Sequence, residues 1–146
     1  MQSLVLSDFV PYQLSVASNA VSDLIARKYQ ARFGLKIPEW RLMAVLGQGE
    51  AMSQRALVLA TRMDKVTVSR AAAALGERGL IVRAASAKDG RSHSLSLSEA
   101  GQALFQEIAP AALVMEQAVL GCLSLDERLA LTKMLLRLRD SADRFG

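Results

Sequence analysis

Two helix starts lie only eleven residues apart in the middle of this chain. Ser53 and Asp64 are residue types that cap helix N-termini, and each precedes a short segment with apolar residues at helical spacing. Between the two segments the chain has room only for a tight turn at Arg62 and Met63. Two helices joined by so short a turn predict a helix-turn-helix, which limits the possible folds more than any other feature of the sequence.

The residues after the second of these helices predict a β-hairpin. Gly79 is placed to end the helix, and 80–85 and the alternating serines and leucines of 94–97 are typical of two strands. The polar segment between them, 86–92, contains glycine and predicts a loop with basic residues at its tip. A helix-turn-helix followed by such a hairpin is a winged helix-turn-helix.

Longer helices are predicted on both sides of this central region. Apolar residues at three- and four-residue steps indicate a long first helix, Pro38 suits the first turn of a short second one, and Ser98 can cap a third. Ser124 and Glu127 form a capping box for the last helix. The predicted ranges are 10–33, 38–46, 98–120 and 124–144. The expected fold class is mainly α with a small β-wing, an α+β winged helix-turn-helix with N- and C-terminal helices.

The composition excludes several classes of protein. With 51% hydrophobic residues and 22% charged ones, the 146 residues suit one globular unit with a real core. One cysteine, Cys122, and one histidine, His93, allow neither an internal disulfide nor a zinc cluster, and no metal or cofactor is expected. No apolar run approaches the roughly 20 residues of a membrane helix, and no signal peptide is evident, so the expected location is the cytoplasm.

An enzyme is the least favoured class. The sequence contains no nucleophile-and-base pair, no phosphate-binding glycine loop and no metal-ligand spacing. Catalytic residues are therefore not predicted.

Positive charge is concentrated in the predicted winged helix. The net charge is +4, but 54–93 alone holds eight basic and three acidic residues, so the remainder is close to neutral. Clustered lysines and arginines neutralise nucleic-acid phosphates, which favours a polyanion as the partner of this region. The alternative is an ordinary solvated surface, since a count does not say which face the charges share.

The terminal helices carry more apolar residues than a small monomer needs. Leu131, Met134, Leu135 and Leu138 lie on one stripe of the last helix, while Leu129 lies off it. A partner subunit would cover the excess. The alternative is that these residues are buried within one subunit.

The second helix of the helix-turn-helix has a face suited to reading DNA. A helical wheel places Val68, Ala72 and Leu75 inward and the opposite side outward. Arg70 can pair with guanine, and exposed small apolar residues can touch a thymine methyl group. The predicted base-reading residues are Lys65, Val66, Thr67, Ser69, Arg70 and Ala73.

Two further groups are predicted to contact the DNA backbone or minor groove. The helix N-terminus at Ser53, Gln54 and Arg55 can hold a phosphate through its free amides. In the wing, Arg91 can enter a narrow minor groove while Asp89 orients its guanidinium, and Lys88 is a weaker candidate. For His93 an ordinary place at a strand end is the better interpretation.

These segments resemble the MarR family of bacterial transcription regulators. The motifs are KVTVSR at 65–70, LGERGL at 75–80, DGR at 89–91 and LSEAG at 97–101. Their order and spacing are more specific than any one of them. One arginine common in the family's wing is replaced here by Gly90, which predicts weaker DNA affinity.

The resemblance implies a single unit over 1–146 that forms a homodimer. Its dimerisation helices would be about 1–35 and 98–146, and about 36–97 would bind double-stranded DNA at a pseudo-palindrome with half-sites about 10 base pairs apart. It further implies a repressor that a small aromatic or anionic effector releases from DNA. Candidate pocket residues are Tyr12, Trp40, Arg41 and Met43, although plain core packing is the commoner role of such side chains. An alternative function is a protein-interaction module that binds an acidic partner.

Overall fold

The computed structural model describes residues 2–85 and 93–146. In chain order the elements are a one-turn 3-10 helix at Leu6–Asp8, α1 at Val10–Phe33, α2 at Ile37–Leu46, β1 at Met52–Ser53, α3 at Gln54–Thr61, α4 at Lys65–Glu77, β2 at Ile81–Ala85, β3 at His93–Leu97, α5 at Glu99–Leu120 and α6 at Leu125–Phe145. The predicted fold class, mainly helical with a small β-sheet, is confirmed.

Side-chain caps set the starts of four helices where the sequence predicted them. Ser53 Oγ accepts from the Ala56 N–H at 3.1 Å, and Ser98 Oγ accepts from the Gly101 N–H at 3.0 Å. At α6 the capping box forms in full, because Ser124 and Glu127 each accept from the other's backbone N–H. The fourth cap, Asp64, begins α4. Each cap satisfies an amide that has no partner within its helix.

The start of α2 uses a different device. Here Glu39 Oε1 accepts from the Lys36 N–H at 3.3 Å while Pro38 occupies the first turn. Glu39 is buried, so this bond also satisfies a carboxylate oxygen shielded from water.

A three-stranded antiparallel sheet has the order β1-β3-β2. The hairpin of β2 and β3 was predicted, but β1 was not, because a two-residue strand leaves no alternating pattern. Met52 pairs with Leu95 and Ser53 with Ser94. This pairing ties the segment before α3 to the middle strand of the sheet.

The chain divides into two compact units, Met1–Pro110 and Ala111–Gly146. The core of the first unit gathers α2, α3, α4 and the sheet, with side chains that are almost wholly shielded from solvent. They include Leu35, Leu42, Met43, Leu46, Leu57, Val68, Leu75, Leu95 and Ile108. The predicted assignment of 1–35 and 98–146 to dimerisation and 36–97 to DNA binding is a separate division, which stays a prediction.

In the second unit, Arg128 joins the two helices. Its Nε donates to the Leu120 carbonyl at 3.1 Å, and its Nη1 donates to Gln117 Oε1. The apolar stripe of α6 is exposed, and Phe145 is 91% exposed.

One helix in the described part of the chain, α5, is long and apolar enough to span a membrane by length and composition, with a mean hydropathy of 1.2. Only 6% of its apolar window is buried. A single such helix is weak evidence for a membrane span, since apolar helices of water-soluble proteins meet the same criteria.

Candidate nucleic-acid interface

The N-terminus of α4 is fixed by Asp64 and Thr67. Asp64 Oδ1 accepts from the Thr67 N–H at 2.8 Å, and Oδ2 accepts from the Thr67 hydroxyl at 2.9 Å. These two hydrogen bonds hold the pKa of the Asp64 carboxyl below its ordinary range. Thr67, predicted to contact DNA, is half-buried and uses its hydroxyl proton for this cap. Its oxygen therefore remains only as an acceptor.

The two faces of α4 divide as the sequence predicted. Val68, Ala72 and Leu75 are fully buried, while Ser69, Arg70 and Ala73 are exposed. Val66 is apolar but lies on the exposed face of α4, where it is 57% exposed. The exposed face thus presents small side chains with one arginine, and Lys65 lies exposed at its N-terminal edge. A face of small side chains permits close approach of the helix to a partner.

A cavity of about 260 Å³ lies beside the N-terminus of α3. Its lining combines the three residues predicted to bind a phosphate with three residues of the sheet. These residues are Ser53, Gln54, Arg55, Arg83, His93 and Leu95. Two arginines, a histidine and the N-terminus of α3 therefore border one space, and basic residues near a helix N-terminus favour an anion over a cation.

Arg83 was missed by the sequence analysis, and His93 was placed among ordinary strand-end residues. The register explains why both border this cavity. Arg83 pairs with Leu95, and His93 lies two residues before Leu95 on β3, so all three side chains share one face of the sheet. Alternation alone places His93 and Leu95 on one face, but the position of Arg83 depends on the register of the hairpin.

The predicted wing contacts Lys88, Asp89 and Arg91 lie outside the described residues. They stay predictions.

The candidate pocket residues differ in how far they are buried. Met43 is fully buried in the core, whereas Tyr12 and Arg41 are exposed on different helices. Trp40 is half-buried and packs edge-on against Tyr29, with ring centroids 5.1 Å apart. Burial raises the pKa of the Tyr29 phenol. Trp40 and Met43 thus have packing roles, and the pocket remains a prediction.

Among residues 2–85 and 93–146, no three histidine, cysteine, aspartate or glutamate side chains are grouped as a metal ion would require. The exposed face of α4 and the cavity beside α3 present hydrogen-bond donors, positive charge and small apolar side chains. Their chemistry is that of recognition, since hydrogen-bond donors and positive charge are what a phosphate backbone and base edges require.

A capped helix that exposes small and basic side chains, preceded by a second short helix and followed by a β-hairpin, defines a winged helix-turn-helix protein. The sequence profile of the MarR family matches residues 33–92. A search of curated proteins gave no match.

Solved structures similar to this one are transcriptional regulators. A probable transcriptional regulator from Pseudomonas aeruginosa is 34% identical, with a TM-score of 0.83, and the alignment covers 92% of this chain and 99% of that one. A MarR/EmrR family transcriptional regulator from Acinetobacter is 25% identical, with a TM-score of 0.88 and coverage of 97% and 99%. The chain therefore belongs to the MarR family of transcriptional regulators.

A third structure shares the fold at lower identity. BpsR of Bordetella bronchiseptica is 24% identical, with a TM-score of 0.89 and coverage of 95% of this chain and 99% of that chain. The description of that structure concerns regulation of DNA binding by 6-hydroxynicotinic acid.

Proposed function

We propose that this protein is a homodimeric repressor that binds double-stranded DNA sequence-selectively and responds to a small effector. One observation carries the proposal: α4 buries Val68, Ala72 and Leu75 and exposes a face on which Arg70 is flanked by small side chains. A helix in the major groove needs such a face, because bulky side chains would keep the backbone away from the base edges. We assign Lys65, Val66, Thr67, Ser69, Arg70 and Ala73 to base reading.

We assign the cavity beside α3 to a phosphate of the DNA backbone. Arg55 and Arg83 supply charge, and the amides at the N-terminus of α3 supply directional donors. Contacts of this kind set the register of the protein on the duplex and contribute affinity without selectivity. The wing residues Lys88, Asp89 and Arg91 complete the proposed DNA contacts in the minor groove.

Homodimerisation is supported by the apolar side chains that the single chain leaves exposed. In the first unit these lie in the N-terminal segment and the first half of α1, and in the second unit they lie on α6. The exposed residues are Leu4, Leu6, Phe9, Val10, Leu14, Leu129, Met134, Leu135, Leu138 and Phe145. A monomer rarely exposes so many large apolar groups without a partner. The dimerisation helices are then 1–35 and 98–146, and 36–97 binds DNA.

The dimer explains how an effector can act at a distance. Two α4 helices related by a two-fold axis must fit half-sites about 34 Å apart. An effector that binds the dimer more tightly in another arrangement lowers DNA affinity, at most by the ratio of its affinities for the two arrangements. BpsR suggests an aromatic carboxylate as the first class of compound to test. The protein then works in the cytoplasm and associates with the nucleoid, and it has no catalytic role.

The test of DNA binding uses fluorescence anisotropy with three duplexes. One is the region upstream of the protein's own coding sequence, one is a duplex selected by the wild-type protein from a random library, and one is its scrambled version. Arg70→Ala should lower the preference for the selected duplex about 5- to 150-fold, because a bidentate arginine–guanine pair discriminates by about 1–3 kcal/mol. Arg139→Ala, at an exposed α6 residue paired with Asp140 outside the proposed DNA-binding region, is the control and should leave the preference unchanged, with sedimentation velocity showing that the variant is still a dimer.

Three outcomes would contradict the proposal in different ways. If selection from random DNA recovers no preferred sequence, the protein does not read DNA, and capture of an acidic protein partner becomes the next experiment. If Arg70→Ala and Arg139→Ala behave alike, Arg70 does not read a base, which removes the arginine that the proposal places at the centre of the reading face. If an aromatic carboxylate binds the dimer but leaves DNA affinity unchanged, the effector mechanism is wrong for that compound.

A further inference from the structure

Arg78 joins the ends of two helices that are distant in sequence. It is the residue directly after α4, and its Nη1 donates to the Gly34 carbonyl at 3.2 Å. Its Nη2 donates to the Phe33 carbonyl, also at 3.2 Å. Phe33 is the last residue of α1, so one side chain connects the C-terminal end of α4 to the C-terminal end of α1.

The chemistry of this connection suits both partners. The last carbonyls of a helix accept no hydrogen bond from an amide of the same helix, and they lie at the negative end of the helix dipole. A cation that donates hydrogen bonds to them is therefore stabilising. Gly34 has a φ of 65°, a left-handed conformation that turns the chain at the end of α1. The planar guanidinium offers two parallel donors to two carbonyls, and a lysine ammonium cannot match that geometry.

The position of Arg78 separates it from the base-reading residues. It lies eight residues after Arg70, which is about 12 Å along a helix at 1.5 Å per residue, and at the end of α4 opposite to Lys65. Two of its guanidinium nitrogens already donate to backbone carbonyls. The charge count of the sequence placed Arg78 with the phosphate-binding cations, but its contacts are those of a structural link.

The other contacts that α4 makes are of a different kind. Val68, Ala72 and Leu75 pack it into the core, where interdigitating apolar side chains set its orientation against α2 and α3. The two hydrogen bonds of Arg78 are directional and act at the far end of the helix. They therefore restrict how the axis of α4 tilts relative to α1.

We propose that Arg78 is a positioning residue that sets the orientation of α4 against α1 and thereby supports DNA selectivity without touching DNA. The inference rests on the proposed function, in which α4 reads bases and α1 belongs to the dimer interface. A small tilt of α4 misplaces the base contacts of Arg70 and Ser69, whereas contacts to phosphates tolerate it better, since they carry no sequence information.

The experiment compares Arg78→Met with Arg83→Met on the selected duplex and its scrambled version across a salt series. Arg78→Met should weaken binding to the selected duplex about five- to tenfold, the loss expected for one or two charge-assisted hydrogen bonds at a partly exposed site. Binding to scrambled DNA should change less than twofold, with an unchanged salt dependence. Arg83→Met should weaken both duplexes equally and reduce the salt slope by about 0.9, the value for one phosphate contact.

Arg78→Lys is a second variant, and its result can be interpreted even if Arg78→Met is not fully folded. It keeps the charge but not the paired donors, so its selectivity should lie between those of wild type and Arg78→Met. Thermal unfolding and the fraction of active protein are measured for each variant. A merely structural defect lowers the active fraction for both duplexes alike and leaves their affinity ratio unchanged.

The outcomes separate this inference from the proposed function. Equal weakening on both duplexes with a lower salt slope makes Arg78 a phosphate contact and overturns the inference alone. An unchanged ratio of affinities in Arg78→Met also overturns it. A wild-type protein that selects no DNA sequence overturns the proposed function, and the inference with it.

Discussion

Asp64 caps the N-terminus of α4, and its carboxylate does so in the ionised form. The N–H and hydroxyl of Thr67 hold the pKa of this carboxyl below its ordinary range, so the folded state favours the ionised form. Its contribution to stability is therefore complete above the unfolded-state pKa of about 3.9 and is lost as pH falls through the lower folded-state value. Acidification below about pH 4 should thus destabilise the protein in part by weakening this cap.

Asp64→Asn tests that assignment. Asparagine keeps a side-chain oxygen for the Thr67 N–H and caps helices about as well as aspartate, but it does not titrate. The variant should match wild type near pH 7 and should lose less of its free energy of unfolding between pH 5 and pH 3. Urea unfolding at both acidic values measures the loss. Some pH dependence will remain, because hydrogen bonds to Ser124 lower the pKa of Glu127 in the same way. Equal losses in both proteins would show that Asp64 is not part of the acid response.

Two glycines in the first unit should respond to alanine in opposite directions. A Cβ on Gly101 would overlap the Leu80 carbonyl oxygen, where α5 begins against β2. Gly101→Ala should lower the free energy of unfolding by about 1–3 kcal/mol, the usual cost of overpacking.

Gly76 lies inside α4, and a Cβ there meets open space. Gly76→Ala should stabilise the protein by about 0.5–1 kcal/mol, because glycine is a poor helix former. Chemical unfolding without DNA measures both, and a loss of stability in Gly76→Ala would show that a side chain at this position meets a neighbour.

At the level of elements, β1 and the hairpin bring Arg83 beside the N-terminus of α3. Arg55 and Arg83 come from different elements but border one cavity, which we assign to a single stretch of DNA backbone. Arg55→Met should therefore resemble Arg83→Met: both should weaken selected and scrambled duplexes by the same factor and reduce the salt slope by about 0.9. Anisotropy titrations at several salt concentrations measure the slopes, with Arg139→Met as the control. A change in selectivity without a change in slope would place these arginines elsewhere on the DNA.

The sequence predicted elements well where a local signal existed. Ser53, Asp64, Ser98 and Ser124 each carry the chemistry of an N-cap, and the structure begins a helix directly after every one of them. The exposed face of α4 was predictable for the same reason, since burial follows helical spacing. By contrast, β1 has two residues and no pattern, and it exists only because Met52 and Ser53 find partners on β3. Arg83 and Arg78 were missed as site and link residues because strand register and a contact across 44 residues leave no local trace.

At the level of the whole molecule, the exposed apolar residues are what a second copy of the chain would cover. Leu135 lies on the apolar stripe of α6 and is 46% exposed. In the proposed dimer Leu135→Glu would place an unpaired charge in an apolar interface, which costs more than most single contacts contribute. We therefore expect a monomer, and we expect the monomer to lose most of its affinity for a pseudo-palindrome, since the two half-sites are no longer bound by one particle.

Leu59→Glu is the matched control for this dimer test, because Leu59 is 74% exposed on α3, outside the proposed dimerisation helices. The same substitution there adds the same charge to another exposed leucine, so this variant should remain a dimer. Sedimentation velocity at micromolar protein resolves the two states, and circular dichroism checks that both variants stay helical. If Leu135→Glu is a dimer, this part of α6 does not belong to the interface. If Leu59→Glu is a monomer, the interface lies on the winged helix instead. A monomeric wild-type protein would refute the dimer itself, since the exposed apolar stripe would then face solvent or another partner.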